Sequence, residues 1–109
     1  MNQNQNQIGN QVAVVARLKA NEGQRDALAG ALQAALNTAA AEAGTVYYIL
    51  HEDPADGDAL WMYEMYTDQT AHAAHASSDG YKALGPAIRP FLAARPDLTF
   101  LKPIGGKGI

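Results

Sequence analysis

Apolar residues along this chain fall into two rhythms: short β-branched or aromatic runs, and longer stretches with one apolar residue every three or four positions. Residues 11–19, QVAVVARLK, are nearly continuous in apolar side chains and predict a strand buried on both faces. Residues 24–43 place Leu28, Leu32 and Leu36 at intervals of four, one face of a helix. Gly44 follows, where a left-handed helix cap is expected. Residues 45–52 (TVYYILHE) and 59–66 (ALWMYEMY) predict two more strands. The six turn-forming residues between them predict an antiparallel hairpin. Thr67 or Asp68 can cap a helix from Gln69 to about Ser77. Residues 78–80 interrupt it. Tyr81, Leu84, Ile88, Phe91 and Leu92 then mark a second stripe, where Gly85-Pro86 predicts a kink or break. Residues 98–103, LTFLKP, predict a last short strand.

The order is β-α-β-β-α-β. With right-handed crossovers it implies an α+β, ferredoxin-like, four-stranded antiparallel sheet with both helices on one face. Residues 11–104 form this domain. The Asn/Gln-rich residues 1–10 are expected to be a disordered lead, and residues 105–109, with three glycines from Gly105 on, a flexible tail.

One side of such a sheet stays uncovered. Alternation puts Leu60, Met62, Glu64 and Tyr66 on one side of the third strand, and Trp61, Tyr63 and Met65 on the other. The second strand splits into Val46, Tyr48 and Leu50 against Tyr47, Ile49 and His51. Both sides are apolar. A large apolar free face on a small domain predicts a homodimer packed sheet to sheet through Tyr47, Ile49, Trp61 and Tyr63.

Composition narrows the chemistry. The chain has 109 residues, 48% hydrophobic and 17% charged, enough for one cored domain. Net charge is −3, and the eight Lys and Arg residues form no stripe, which argues against nucleic acid. Without cysteine there is no disulfide, thiolate catalysis or Cys-based metal site. No apolar run nears the roughly 20 residues of a membrane span, and the N-terminus has no signal-peptide pattern. A cytoplasmic location is the expectation. There is no GxGxxG, P-loop or HExxH, so no cofactor is implied by motif.

The candidate chemistry gathers at the third strand and the helix after it. His72 and His75 lie three apart, on nearby parts of one helix face. If the Met62, Glu64 and Tyr66 side of the third strand looks toward the helices, these residues converge on a pocket. An imidazole there can act as a base near neutral pH, and a tyrosine hydroxyl can orient a substrate oxygen. Readings without chemistry stand beside these. His72 can be a solvated helix residue and His75 a satisfied half-buried one. Glu64 can tie the sheet to the helix start near Asp68 or Gln69. The five large aromatics from Tyr47 to Tyr66 can be core and interface. A two-His, one-carboxylate metal set of His72, His75 and Glu64 is the weakest of the ideas, so no metal is assigned.

Residues 59–84 resemble the antibiotic-biosynthesis-monooxygenase family. The resemblance rests on Tyr63-Glu64-Met65-Tyr66, on Asp68, on Ala71-His72-Ala73-Ala74-His75, on Ser77, and on Tyr81-Lys82. Upstream, Glu42-Ala43-Gly44-Thr45 and Tyr48 are similar to the start of the family's second strand. The resemblance implies a dimeric α/β barrel and a cavity between sheet and helices in each protomer. It implies cofactor-independent oxygenation by O2 of a small electron-rich aromatic or quinol. Carried over by position, it implies His75, Tyr66 and Glu64 as catalytic, with Tyr48, Met62, His72 and Tyr81 around the substrate. His75 stands at the family's helix histidine, as base or anchor. Met62 stands where polyketide oxygenases tend to carry a polar residue. Haem-degrading relatives carry Trp at the position of His75 and a His where Gly85 stands, so haem is disfavoured. Two alternatives remain: an enzyme isomerising or degrading a sugar-phosphate-type signal, and a non-catalytic small-molecule-binding dimer. For a phosphate, Arg17, Lys82 and Arg89 are the nearby cations.

Overall fold

The computed structural model describes residues 8–109, so most of the expected disordered lead over 1–10 lies outside the described residues. The elements are β1 (Val12–Lys19), α1 (Arg25–Ala40), β2 (Thr45–Glu52), β3 (Ala59–Tyr66), α2 (Gln69–Ala76), α3 (Asp79–Ile88), a 3-10 turn (Arg89–Phe91) and β4 (Asp97–Leu101). The strands run in the order β2-β3-β1-β4, every pair antiparallel. This is the α+β ferredoxin-like arrangement.

Register decides which side chains share a face. Val14 stands opposite both Glu64 and Phe100, and Tyr48 opposite Glu64. These residues therefore point the same way, toward the helices. With them go Ala16, Leu18, Leu60 and Met62, which pack against Leu28 and Leu32 of α1 and Ile88 of α3 to make the core. In β1 the buried positions are concentrated on this helix face, while Val15, Arg17 and Lys19 of the opposite face are only half-buried. The expectation of burial on both faces thus gives way to one well-covered face, because among the described residues no second layer lies over that end of the strand.

Four local readings meet the structure, and the third of them holds. First, α1 stops at Ala40, and Gly44 is not in the left-handed region. A methyl group on Gly44 would sit 2.5 Å from Ala71 Cβ, so glycine is there to let the β2 start and α2 approach closely. Second, the register shifts between Thr45 and Tyr47, so Thr45 pairs with Tyr66 and Val46 bulges out, 41% exposed. Third, Asp68 caps α2, its Oδ1 accepting from the Ala71 amide at 2.7 Å, and Ser78 caps α3 by accepting from the Tyr81 amide at 3.1 Å. The helical break falls at this second cap. Fourth, Gly85-Pro86 lies inside α3, which continues to Ile88. Proline has no N–H to give the Lys82 carbonyl, so the helix lacks one rung there.

The free face divides into two ends. At the β2–β3 turn, Asp56 Oδ2 accepts from Arg17 at 2.9 Å and Lys19 at 2.6 Å. Trp61 Nε1 donates to Asp53 Oδ2 at 2.9 Å, with the Arg17 guanidinium 5.9 Å from its ring. Both aspartates are held below the ordinary carboxylate range, Asp53 first by its bond from Trp61 and Asp56 first by its bond from Lys19. This end is polar, with Trp61 held by its own chain. At the other end, Leu101, Ala13, Met65 and Tyr47 stand in one row across the four strands. The C-terminal stretch leaves β4 after Leu101, at one edge of this row. It ends with the Tyr47 hydroxyl donating to the Gly108 carbonyl at 3.1 Å, at the far edge. Between these edges, Ala13 and Met65 of the row are each 2% exposed. Ile49, Leu101 and Ile104 stay 45%, 48% and 94% exposed.

Candidate functional site

A cavity of about 680 Å³ opens between the sheet and α3. Its floor is Ala16 and Leu18 of β1, Met62 and Glu64 of β3, and Tyr48 of β2. Tyr81 and Leu84 of α3 form the facing wall, and Arg95, Pro96 and Leu98 close it from the β4 side. Of the residues expected at the site, Tyr48, Met62, Glu64 and Tyr81 line this cavity. Tyr66, His72 and His75 do not.

Glu64 is the polar centre of the floor. It is 9% exposed, and the Tyr66 hydroxyl donates to its Oε1 at 2.5 Å. Among the described residues no hydrogen bond holds Oε2. Burial keeps the Glu64 carboxyl above its ordinary range, against the opposing bond from Tyr66. Tyr66 is fully buried, and its hydroxyl is held strongly protonated by burial first and by its bond to Glu64 second. The Tyr48 phenol is pushed up likewise, by burial and then by the charge of Glu64. Both tyrosines therefore act as donors, never as phenolates, in the working pH range.

His75 stands behind the wall. It is 4% exposed, and its ring lies 5.2 to 5.3 Å from those of Tyr48, Tyr66 and Tyr81. Its Nδ1 is 2.7 Å from Glu42 Oε1, which also accepts from the Thr45 hydroxyl at 2.8 Å. A carboxylate oxygen only accepts, so Nδ1 carries the proton. His75 Nε2 is buried with no partner among the described residues. The arrangement locks α2 onto the loop before β2 and fixes the rings that border the cavity. Sequence reading missed Glu42 as this partner. Its carboxylate three residues before Thr45 was visible as part of a motif, but nothing local tied it to α2.

His72 turns the other way. Its ring meets Phe100 edge-on at 5.4 Å and Tyr66 at 5.1 Å. Burial first, and the neighbouring His75 second, hold it below the ordinary histidine range, so it is neutral near pH 7. Among the described residues no group of three or more His, Asp or Glu side chains is placed to hold a metal ion. Among them, too, no helix is long and apolar enough to cross a membrane.

Against known proteins, the profile of the antibiotic biosynthesis monooxygenase family matches residues 11–86. A candidate antibiotic biosynthesis monooxygenase of Chloroflexus aurantiacus J-10-fl is 30% identical, with 91% of this chain and 98% of that one covered at a TM-score of 0.76. Rv0793 of Mycobacterium tuberculosis is also 30% identical, with 90% and 99% covered at 0.82. A further candidate from Caulobacter crescentus CB15, 24% identical, covers 96% and 100% at 0.81 and supports the fold. No curated protein matches. The profile spans every strand of the sheet but β4 and the whole of α1 and α2, including Glu42, Glu64, Tyr66 and His75; the chain belongs to the antibiotic biosynthesis monooxygenase family.

Proposed function

We propose that this protein is a cofactor-independent monooxygenase acting on a small electron-rich aromatic, of phenol or quinol type, in the cavity over β3. The observation that supports it is Glu64: a buried carboxyl with raised proton affinity, one oxygen held by Tyr66 and the other free, in the floor of an apolar cavity. A raised carboxyl is a better-matched base for a weakly acidic substrate. Glu64 takes a proton from the bound ring. The resulting anion gives an electron to O2, and a hydroperoxide forms at the ring carbon. Loss of water leaves a carbonyl, so a CH2 tautomer plus O2 becomes C=O plus H2O. The surrounding apolar wall keeps bulk water from the anion, and Tyr48, held protonated, is a donor for a substrate oxygen.

His75 takes a positioning role, with Tyr66 aligning Glu64. Oxygen uptake with a panel of hydroquinones tests the reading. Wild type consumes O2 faster than the buffer blank, and Glu64→Gln falls to the blank rate. Equal rates for the two proteins would remove Glu64 from the mechanism.

The working unit in this reading is a homodimer. The support is the exposed apolar side chains Ile49 and Leu101, with half-buried Tyr63, on the free face of the sheet.

A further inference from the structure

We propose that the substrate carries a carboxylate or comparable anionic group, seated at the cavity rim against Arg89, Arg95 and Lys82. This rests on the cavity being an aromatic site.

The cations carry the argument. Of the chain's eight Lys and Arg residues, Arg17 and Lys19 engage Asp56, and Arg25 engages Asp26 and Glu52. Lys82, Arg89 and Arg95 all line this cavity, and none of them has an ion pair among the described residues. All three are exposed, whereas Glu64, the carboxylate in the cavity lining, is 9% exposed. The cavity is thus polarised, with its acid in the floor and its positive charge at the mouth. A ligand that is apolar and weakly acidic at one end and anionic at the other matches both ends.

Arg89 is also placed to reach in. A Cβ on Gly85 would lie 4.0 Å from Arg89 Nη2, so the guanidinium lies back along α3 over a residue that itself lines the cavity. A second depression of about 440 Å³ shares Arg89, Arg95 and Pro96 with the first. Both arginines therefore border the same rim, and the planar fork of a guanidinium suits a carboxylate. A helix C-terminus welcomes a cation, which alone would explain Arg89. It does not explain Arg95, which lies beyond the helix, or Lys82, which lies near the N-terminal end of α3, where the dipole disfavours positive charge.

Two probes separate the claims: 1-hydroxy-2-naphthoate, and 1-naphthol, which lacks the carboxylate. Calorimetric titration at low salt should give the acid about tenfold tighter binding to the wild type. Arg89→Gln with Arg95→Gln should abolish that preference. Lys107→Gln, which removes a charge outside the cavity, should keep it. Equal affinity for the two probes in the wild type overturns the anionic class and leaves the aromatic reading standing. So does a preference that survives in the double variant. Failure of both probes to bind overturns both readings.

Discussion

Tyr66 donates its hydroxyl to Glu64 Oε1 at 2.5 Å, and both side chains come from the same face of β3, two residues apart. Strand alternation alone puts them side by side. The pair needs no help from another element to form, only burial to give it weight. Replacing Tyr66 by Phe leaves a buried carboxyl oxygen without its donor. Urea unfolding of Tyr66→Phe should show a loss of about 1–3 kcal/mol. The pH dependence of oxygen uptake should move to higher pH, because the bond that lowers the Glu64 proton affinity is gone.

Glu64 also writes itself into the pH profile of stability. Folded Glu64 holds its proton more tightly than the unfolded chain, whose carboxyl ionises near the ordinary value of 4.5. As pH rises past that value, the unfolded state sheds the proton first and is favoured. Stability should therefore fall with rising pH until the folded group ionises too, and level off beyond. Denaturation midpoints of wild type between pH 4 and 8 should carry this contribution, and Glu64→Gln should lack it. Because lowered Asp53, Asp56 and His72 push the other way, the test is the difference between wild type and Glu64→Gln, and a difference that does not fall with rising pH would contradict the raised carboxyl.

Gly44 serves as a contact point. Gly44→Ala sets its methyl 2.5 Å from Ala71 Cβ and 3.5 Å from Ala71 Cα, so backbone must move. The expected cost is about 1–3 kcal/mol by thermal or urea unfolding. Adding Ala71→Gly should recover part of it, the remainder being the roughly 1 kcal/mol that glycine costs inside a helix.

Ile49 tests the dimer. It is 45% exposed on the free face, opposite Tyr63. Sedimentation of wild type should give twice the chain mass, and Ile49→Asp should sediment as single chains with an unchanged circular dichroism spectrum. A wild-type protein that runs as one chain would end the proposal.

The sheet was readable because its signal is local. The period of two in residues 59–66 assigned Met62, Glu64 and Tyr66 to one face and Trp61, Tyr63 and Met65 to the other, as the register has it. The hairpin was readable from its turn residues. The site was readable only in part. Tyr48, Met62, Glu64 and Tyr81 share the cavity, but the depth of His75 depends on how α2 rolls against the Glu42 loop, which no window of sequence contains. Nothing in the sequence marked Arg95 as a cavity residue; the return of the chain into β4 brings it to the rim. Val46 was assigned by simple alternation, and the bulge beside it moved the register of the strand start. Arg17 was counted among the cations near the pocket, yet it does not line the cavity: with Lys19 it grips Asp56, a contact that crosses from β1 to the hairpin turn.

The missing rung at Pro86 lies in the helix that walls the cavity. A helix with one bond fewer, a glycine beside the gap and mostly exposed side chains resists opening least. Amide hydrogen exchange should accordingly be faster across α3 than across α1, and a tight-binding ligand should slow it most there. The outer wall is then the door, and the sheet beneath it stays still while guests come and go.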